Sequence, residues 1–224
     1  MDWQAFWLTV RLALIVSALL FLLGIPLAAW ITFSRRRWRF VVEALVALPV
    51  ILPPTVLGFY VLVALGARSP LGRWWESFSG HTLAFTFEGL VIGSVLYSLP
   101  FAVQPFAASF AGVDERLIQA SYSLGVARFA TFWRVVMPLS KVGLVSGLAL
   151  SFAHTMGEFG VVLMVGGNIP GVTRTVSVDI YDQVQAGNYT SANQTALLLF
   201  VVCFTILMLV YGLNRRARAL WSSK

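Results

Sequence analysis

Charge is what this chain has least of. Only 11% of its residues are Asp, Glu, Lys or Arg and 58% are hydrophobic, against roughly 25% charged in a soluble domain, so its solvent is mostly lipid. A soluble globular protein is excluded on this ground. Lysine is nearly missing too: Lys141 and Lys224 are the two in the chain, and each follows a serine. The phosphate-cradling loop of nucleotide engines needs Gly-Lys-Ser/Thr, so no such loop can be drawn and any ATP hydrolysis belongs on another chain. There is one cysteine, Cys203, in the middle of an apolar run. It has no partner for an internal disulfide or a metal site. No Ser, His and Asp set and no metal-ligand cluster emerges, so an enzyme is not expected, and no cofactor is expected on this chain.

What is present is a series of long uncharged stretches. Glu43 is followed by no charge until Arg68, Glu88 by none until Asp114, and Asp182 by none until Arg215. Each exceeds the roughly 20 residues that cross a bilayer as a helix. The stretch from Leu12 to Ser34 is a fourth, and Val142 to Gly166, interrupted only by His154 and Glu158, is a fifth. The first could be a cleaved signal peptide, but only Arg11 precedes it and four arginines follow, which reads as a retained span. The expected architecture is an all-α integral membrane protein, one domain over residues 1–224, with spans near 8–33, 41–66, 88–110, 142–166 and 194–213.

The net charge of +7 would suit nucleic acid in a soluble protein, but here the positions decide. Arg35, Arg36, Arg37 and Arg39 follow the first span; Arg116, Arg128, Arg134 and Lys141 follow the third; Arg215, Arg216, Arg218 and Lys224 follow the fifth. The opposite loops carry only Arg68, Arg73 and Arg174. Basic loops stay in the cytoplasm, which places the amino terminus outside and the carboxyl terminus inside. Arg11 sits near the outer end of the first span and can snorkel to the headgroups. Lipid, not nucleic acid, is the expected surroundings.

Prolines cluster in two spans. Pro49, Pro53 and Pro54 predict a kinked or broken second span, and irregular backbone at membrane depth survives only where protein or a watery cavity covers it. Leu52 to Gly58 therefore reads either as the wall of a pathway or as a packing kink. Pro100 and Pro105 predict a bend in the third span. Between these spans, Gly66 to Thr82 carries Trp74, Trp75 and Phe78 and reads as an external loop with an interfacial aromatic anchor. The longest outer segment, Gly167 to Gln194, has a turn cluster and then a short helical pattern over Val176 to Gln185, suited to a lid or a docking surface. His154 and Glu158 are expected one turn apart on one face of the fourth span, as a hydrogen-bonded structural pair or as a gate.

The segment from 112 to 140 is too polar to cross and too patterned for a linker. Asp114 can cap a helix and Glu115 suits its first turn. Leu117, Ile118, Ser121, Tyr122 and Leu124 supply an apolar-rich face, and Gly125 is placed to end it. A second stretch, Ala127 to Val136, runs to Pro138. Two short cytoplasmic helices are expected.

At this loop the chain resembles the permease subunits of bacterial ABC importers, whose shared motif reads Glu-Ala-Ala, three residues, Gly, nine residues, Ile-x-Leu-Pro. The matching residues are Gln119, Ala120, Ser121, Gly125, Val135, Met137 and Pro138, at the same spacing throughout. Glutamine replaces the glutamate and serine the second alanine; Glu115, one turn earlier, is the candidate to replace the lost charge. The resemblance is closer to molybdate and tungstate permeases, carried by Leu52-Pro53-Pro54-Thr55-Val56-Leu57-Gly58, Ser69-Pro70-Leu71-Gly72, Gly157-Glu158-Phe159-Gly160, Gly166-Gly167-Asn168-Ile169-Pro170-Gly171, and Ile180-Tyr181-Asp182 with Val184-Gln185-Ala186-Gly187. The Gly-Glu-Phe-Gly and Asn-Ile-Pro-Gly elements also look like sulfate and thiosulfate permeases.

The resemblance implies an inner-membrane homodimer working with two ABC ATPase chains, which use the ATP, and with a periplasmic oxyanion-binding protein. The cargo is then a tetrahedral oxyanion, most closely molybdate, with tungstate or sulfate as alternatives and an ion-driven carrier as the reading from another class. Glu115, Gln119, Ala120, Ser121, Gly125 and Pro138 would form the coupling loop against the ATPase. Pro53, Pro54, Thr55, Glu158 and Asn168 are the candidates for the path or gate.

Overall fold

The computed structural model describes the backbone of residues 2–222 and the side chains of 2–212. Lys224 and the side chains of Arg215, Arg216 and Arg218, part of the basic count above, lie outside the described residues. Every regular element among the described residues is helical. The chain runs α1 (Trp3–Phe33), α2 (Arg39–Ile51), α3 (Pro54–Leu65), α4 (Pro70–Ser79), α5 (Phe87–Ala111), α6 (Glu115–Ser123) and α7 (Arg128–Thr131). A π-helical turn, Phe132–Val136, then leads through α8 (Met137–Leu139) into α9 (Lys141–Gly157), α10 (Gly160–Gly166), α11 (Val176–Gln185) and α12 (Tyr189–Ser222).

Three helices are long and apolar enough to cross a membrane unaided: α1, α5 and α12 over Tyr189–Gly212. Two further pairs reach that length only across a bend, α2 with α3 at 113° and Arg128–Leu139 with α9 at 73°. Among the described residues the count by length and composition is therefore three, or up to five if each bent pair is one span.

The core is built by α1 and α5 packing against each other and against α9. Asp2 starts α1, its Oδ1 accepting from the amides of Gln4 at 2.9 Å and Ala5 at 3.1 Å, two donors that the first helical turn would otherwise leave free. Leu12, Val16, Leu20 and Ala28 on one face of α1 are fully buried, as are Phe106 and Phe110 of α5. Gly24 of α1 and Gly147 of α9 both face the Phe106 ring, the small-residue contact that lets membrane helices approach closely where no hydrophobic effect drives them together. The opposite face of α12, with Leu197, Phe200, Phe204 and Met208, is exposed, as a lipid-facing surface is.

The second span is broken, as its prolines predict: Pro49 lies within α2, the break comes at Leu52 and Pro53, both extended, and α2 and α3 meet at 113°. Pro100 and Pro105 sit inside α5, which runs on as one helix, as a membrane helix can where neighbouring groups re-satisfy the carbonyls a proline frees. Gly66 to Thr82 is mostly helical: Ser69 accepts from the Gly72 amide at 2.7 Å, Pro70 takes the first helical position, and Gly80 closes the helix in the left-handed region. That short helix exposes Trp74 and Phe78.

Candidate functional site

The expectation that His154 and Glu158 share one helical face is corrected by the structure. Helix α9 ends at Gly157; Glu158 is extended, at φ −71° and ψ 136°, and α10 starts only at Gly160. The fourth apolar stretch is therefore broken, and the i, i+4 relation does not hold. Two glycines flanking the break make it possible at low cost, since neither adds a side chain to the turn.

This break lies against the other one. Helices α3 and α10 pack together, and the approach is tight: a Cβ on Gly160 would meet Pro54 Cβ at 2.5 Å, and one on Gly58 would meet Met164 Cβ at 2.7 Å. Between the breaks opens a cavity of about 580 Å³, lined by Pro54, Thr55, Tyr97, His154, Glu158 and Phe159 among others. Pro54, Thr55 and Glu158, named from sequence as path or gate, thus come together. Pro53 sits beside them at the turn, exposed.

Glu158 is 4% exposed, and both carboxylate oxygens are engaged. Oε2 accepts from Ser94 Oγ at 3.0 Å and Oε1 from the Val162 amide at 3.1 Å. The second bond caps the new helix α10, whose first amides have no intrahelical acceptor. The Glu158 carbonyl in turn accepts from Ser177 Oγ of α11. The break is thereby held from both sides, by α5 within the bundle and by α11 from the outer segment.

His154 sits one turn back, stacked on Phe101 with ring centroids 3.9 Å apart and tilted against Tyr97 at 4.8 Å. Its Nδ1 is 2.9 Å from Ser98 Oγ, which is also 2.9 Å from Thr155 Oγ1. Thr155 spends its one hydroxyl hydrogen on the Ser151 carbonyl at 2.8 Å. A hydroxyl has a single hydrogen to give, so Ser98 donates to Thr155 and accepts from His154, which places an imidazole hydrogen on Nδ1. Ser94, Tyr97, Ser98 and Phe101 were missed from sequence. Their signal was the Ser94 and Ser98 pair four residues apart in an apolar helix, both fully buried.

Asn168 is not part of this cavity. It belongs to an outer cluster in which its Nδ2 donates to Asp182 Oδ2 at 2.5 Å, its Oδ1 accepts from Arg174 Nε at 2.6 Å, and Arg174 pairs with Asp182 at 3.3 Å. Helix α11, with the bounds read from the sequence, is further tied to α1 by the Val176 amide, which donates to Thr9 Oγ1 at 2.9 Å.

The loop between α5 and α9 forms a second cluster. Asp114 Oδ1 accepts from the Arg116 amide at 2.9 Å, opening α6; Gly125, at φ +78°, closes it. Ser121 is buried and bonded to Thr131 Oγ1 at 2.9 Å, which fastens α6 to α7. Glu115 and Gln119 are exposed and joined, Gln119 Nε2 donating to Glu115 Oε1 at 3.1 Å. Ala120, Gly125 and Pro138 are exposed as well. The apolar face read from sequence divides: Ile118 and Ser121 turn inward, while Leu117, Tyr122 and Leu124 stay exposed, with Leu124 at 82% and the neighbouring Phe129 at 75%.

A helical membrane bundle with two broken segments around a cavity, and a capped helical loop standing off it between α5 and α9, is the architecture of a transport permease. The chain belongs to the binding-protein-dependent transport system inner membrane component family, which it matches over residues 3–219. It is 45% identical over 218 residues to the molybdenum transport system permease protein ModB of Azotobacter vinelandii, covering 97% of this chain and 96% of that one. With the ModB of Escherichia coli strain K12 it shares 32% over 222 residues, 97% and 95% of the two chains. Among solved structures, an inward-facing MetNI methionine ABC transporter matches with a TM-score of 0.75 at 16% identity, over 94% of this chain and 93% of that one. A bacterial alginate ABC transporter, solved in complex with a periplasmic protein bound to alginate pentasaccharide, matches at 0.76 and 17%, over 96% and 78%; at such identities these two establish the fold alone. The chain is thus a multi-pass transport subunit of the bacterial inner membrane, not an enzyme.

Proposed function

We propose that this chain is the permease of an ATP-driven importer that carries a tetrahedral oxyanion, molybdate, into the cell. Two copies would enclose the path and work with two ABC ATPase chains and a periplasmic oxyanion-binding protein. The chain would cross the membrane five times, with its amino terminus outside and the coupling loop and carboxyl terminus in the cytoplasm. It would bind no cofactor of its own, ATP being used by the partner.

The observation that carries this reading is the loop from Asp114 to Pro138. It is capped at both ends, braced by the Ser121 to Thr131 bond and fused to α5 and α9, yet it holds Leu117, Leu124 and Phe129 out to solvent. Exposed apolar residues on a rigid helix are a docking face. A partner that moves this helix moves the two bundle helices to which it is anchored. Gln119, Ala120, Ser121 and Gly125 would form the contact, with Glu115 oriented by Gln119, and Pro138 would begin the return into the membrane.

The path would pass the cavity between the two broken segments. Its lining offers Thr55, His154, backbone ends and aromatic rings, with the Glu158 carboxylate engaged by Ser94 and the Val162 amide and no arginine or lysine, so an anion would be handled briefly by hydroxyls and amide ends. Weak holding favours release, and selectivity then rests with the periplasmic protein. Molybdate is assigned from the near full-length likeness to the two ModB permeases.

The test is uptake of labelled molybdate by cells lacking and carrying the gene, with tungstate and sulfate as competitors. Uptake that is ATP-dependent, falls on deletion and is displaced by tungstate more readily than by sulfate is the expected outcome. Uptake that follows an ion gradient and persists without the ATPase would overturn the assignment, and preferential displacement by sulfate would reassign the cargo.

A further inference from the structure

Two basic residues, Arg35 and Arg128, line one cavity. Beneath the coupling helix, where α1 and α5 end, lies a space of about 800 Å³ with Arg35, Arg128, Glu115 and Tyr122 around it and the buried Phe110 and Val136 at its floor. Among the described residues the ion pairs are Arg39 with Glu43 and Arg174 with Asp182, so neither Arg35 nor Arg128 has a carboxylate partner. The single acid at the cavity, Glu115, already accepts from Gln119. Two unpaired guanidinium groups over an apolar floor are complementary to a group with a phosphate at one end and hydrocarbon at the other.

The depth of the cavity in the fold points to where that group comes from. Arg35 follows the last turn of α1, and its neighbours Trp30 and Trp38 pack with ring centroids 4.9 Å apart while the Arg36 guanidinium lies over the Trp38 ring at 5.7 Å. Tryptophans of this kind mark headgroup level, and basic pockets between helices on the cytoplasmic side take acidic headgroups. We propose that this cavity binds the phosphate of an anionic phospholipid, which bridges the end of α1 to the coupling helix. The inference rests on the cytoplasmic placement of the coupling loop proposed above.

The test uses the assembled transporter, chain and ATPase partner together, in nanodiscs of phosphatidylcholine with a minor fraction of phosphatidylglycerol. Retained lipid is counted by native mass spectrometry after delipidation. The unmodified complex retains phosphatidylglycerol, and the double variant Arg35→Gln/Arg128→Gln retains it at least about 30-fold less, through loss of two charge-assisted contacts to one phosphate. The matched double variant Arg36→Gln/Arg37→Gln, with the same loss of charge outside the cavity, changes retention little. Glu115→Gln removes the one opposing charge and raises it.

Equal losses in both double variants would overturn the proposal in favour of diffuse surface attraction. Millimolar inorganic phosphate displacing the lipid completely would overturn it in favour of a free-anion site. Retention does not depend on coupled transport, so a Gly125→Val complex that still couples hydrolysis to uptake would sink the coupling assignment and leave the lipid result to be read by itself.

Discussion

Gly160 stands so close to Pro54 that a Cβ added to it would lie 2.5 Å from the proline Cβ. These residues sit at the two broken segments, so the contact joins one break to the other, and the proline ring, closed onto the backbone, cannot swing away. Gly160→Ala is expected to cost about 1–3 kcal/mol through overpacking, and to reduce uptake with the complex still assembled. Gly58→Ala, whose Cβ would lie 2.7 Å from Met164 Cβ and 3.1 Å from Val161 Cα, should cost about as much, whereas Gly157→Ala, with nothing within 4 Å, should be nearly silent in stability. Thermal unfolding of the purified complexes checks all three, and uptake in vesicles follows the two tight sites; a loss of stability at Gly157 equal to that at Gly160 would mean that the close contact is not the cause.

Glu158 gives a second prediction. Its carboxylate accepts one bond from Ser94 and one from the Val162 amide, and glutamine can keep the amide bond while Ser94 turns to accept. Glu158→Gln should therefore assemble and transport within a few-fold of the unmodified protein. Glu158→Ala leaves a buried amide and hydroxyl unpaired, at about 1–3 kcal/mol, and should lower the yield of folded complex. Were Glu158→Gln to fold normally and abolish uptake, the charge itself would be the working part, and the gate would be electrostatic.

Much of this arrangement could be read from residues alone, and what could not has a physical reason. The apolar runs, the caps at Asp114 and Gly125 and the bounds of α11 follow from local chemistry, which acts within a turn or two. The break at Glu158 is hidden in the sequence because apolar content and overall length look the same for one helix as for two in line. Pro53 and Pro54 mark the broken second span, whereas Pro100 and Pro105 lie inside a continuous α5, since a proline's cost depends on whether neighbouring groups take up the freed carbonyl. The partners of Asn168, Arg174 and Asp182, lie 6 and 14 residues away and are a tertiary fact that its local sequence does not carry.

Gly125 offers the sharpest test of coupling. Its φ of +78° is left-handed, and a Cβ there would meet nothing within 4 Å. The penalty for a side chain is therefore backbone strain of about 1–2 kcal/mol and not a clash. Gly125→Asn, which tolerates that region, should keep ATP-driven uptake; Gly125→Val should leave the complex assembled with hydrolysis no longer linked to uptake. Measuring both rates in the same proteoliposomes separates the outcomes, and coupled uptake in Gly125→Val would remove the loop from its assigned role.

The outer cluster decides what Asn168 does. Its amide donates to Asp182 while its carbonyl oxygen accepts from Arg174, so the side chain works as a clamp between the turn after α10 and helix α11. The Arg174 to Asp182 pair is partly exposed, at 24% and 35%, and such a pair contributes no more than about 1 kcal/mol by itself. Loss of either partner should therefore act mainly through the shape of the outer segment. In a double-mutant cycle of Asn168→Ala and Asp182→Ala, a single clamp predicts non-additivity, with a coupling of roughly 0.5–3 kcal/mol in stability and uptake in the double variant no worse than in the poorer single one. Independent effects on uptake would instead mean that Asn168 meets the anion directly, through the amide hydrogen and the lone pair that the clamp leaves unused.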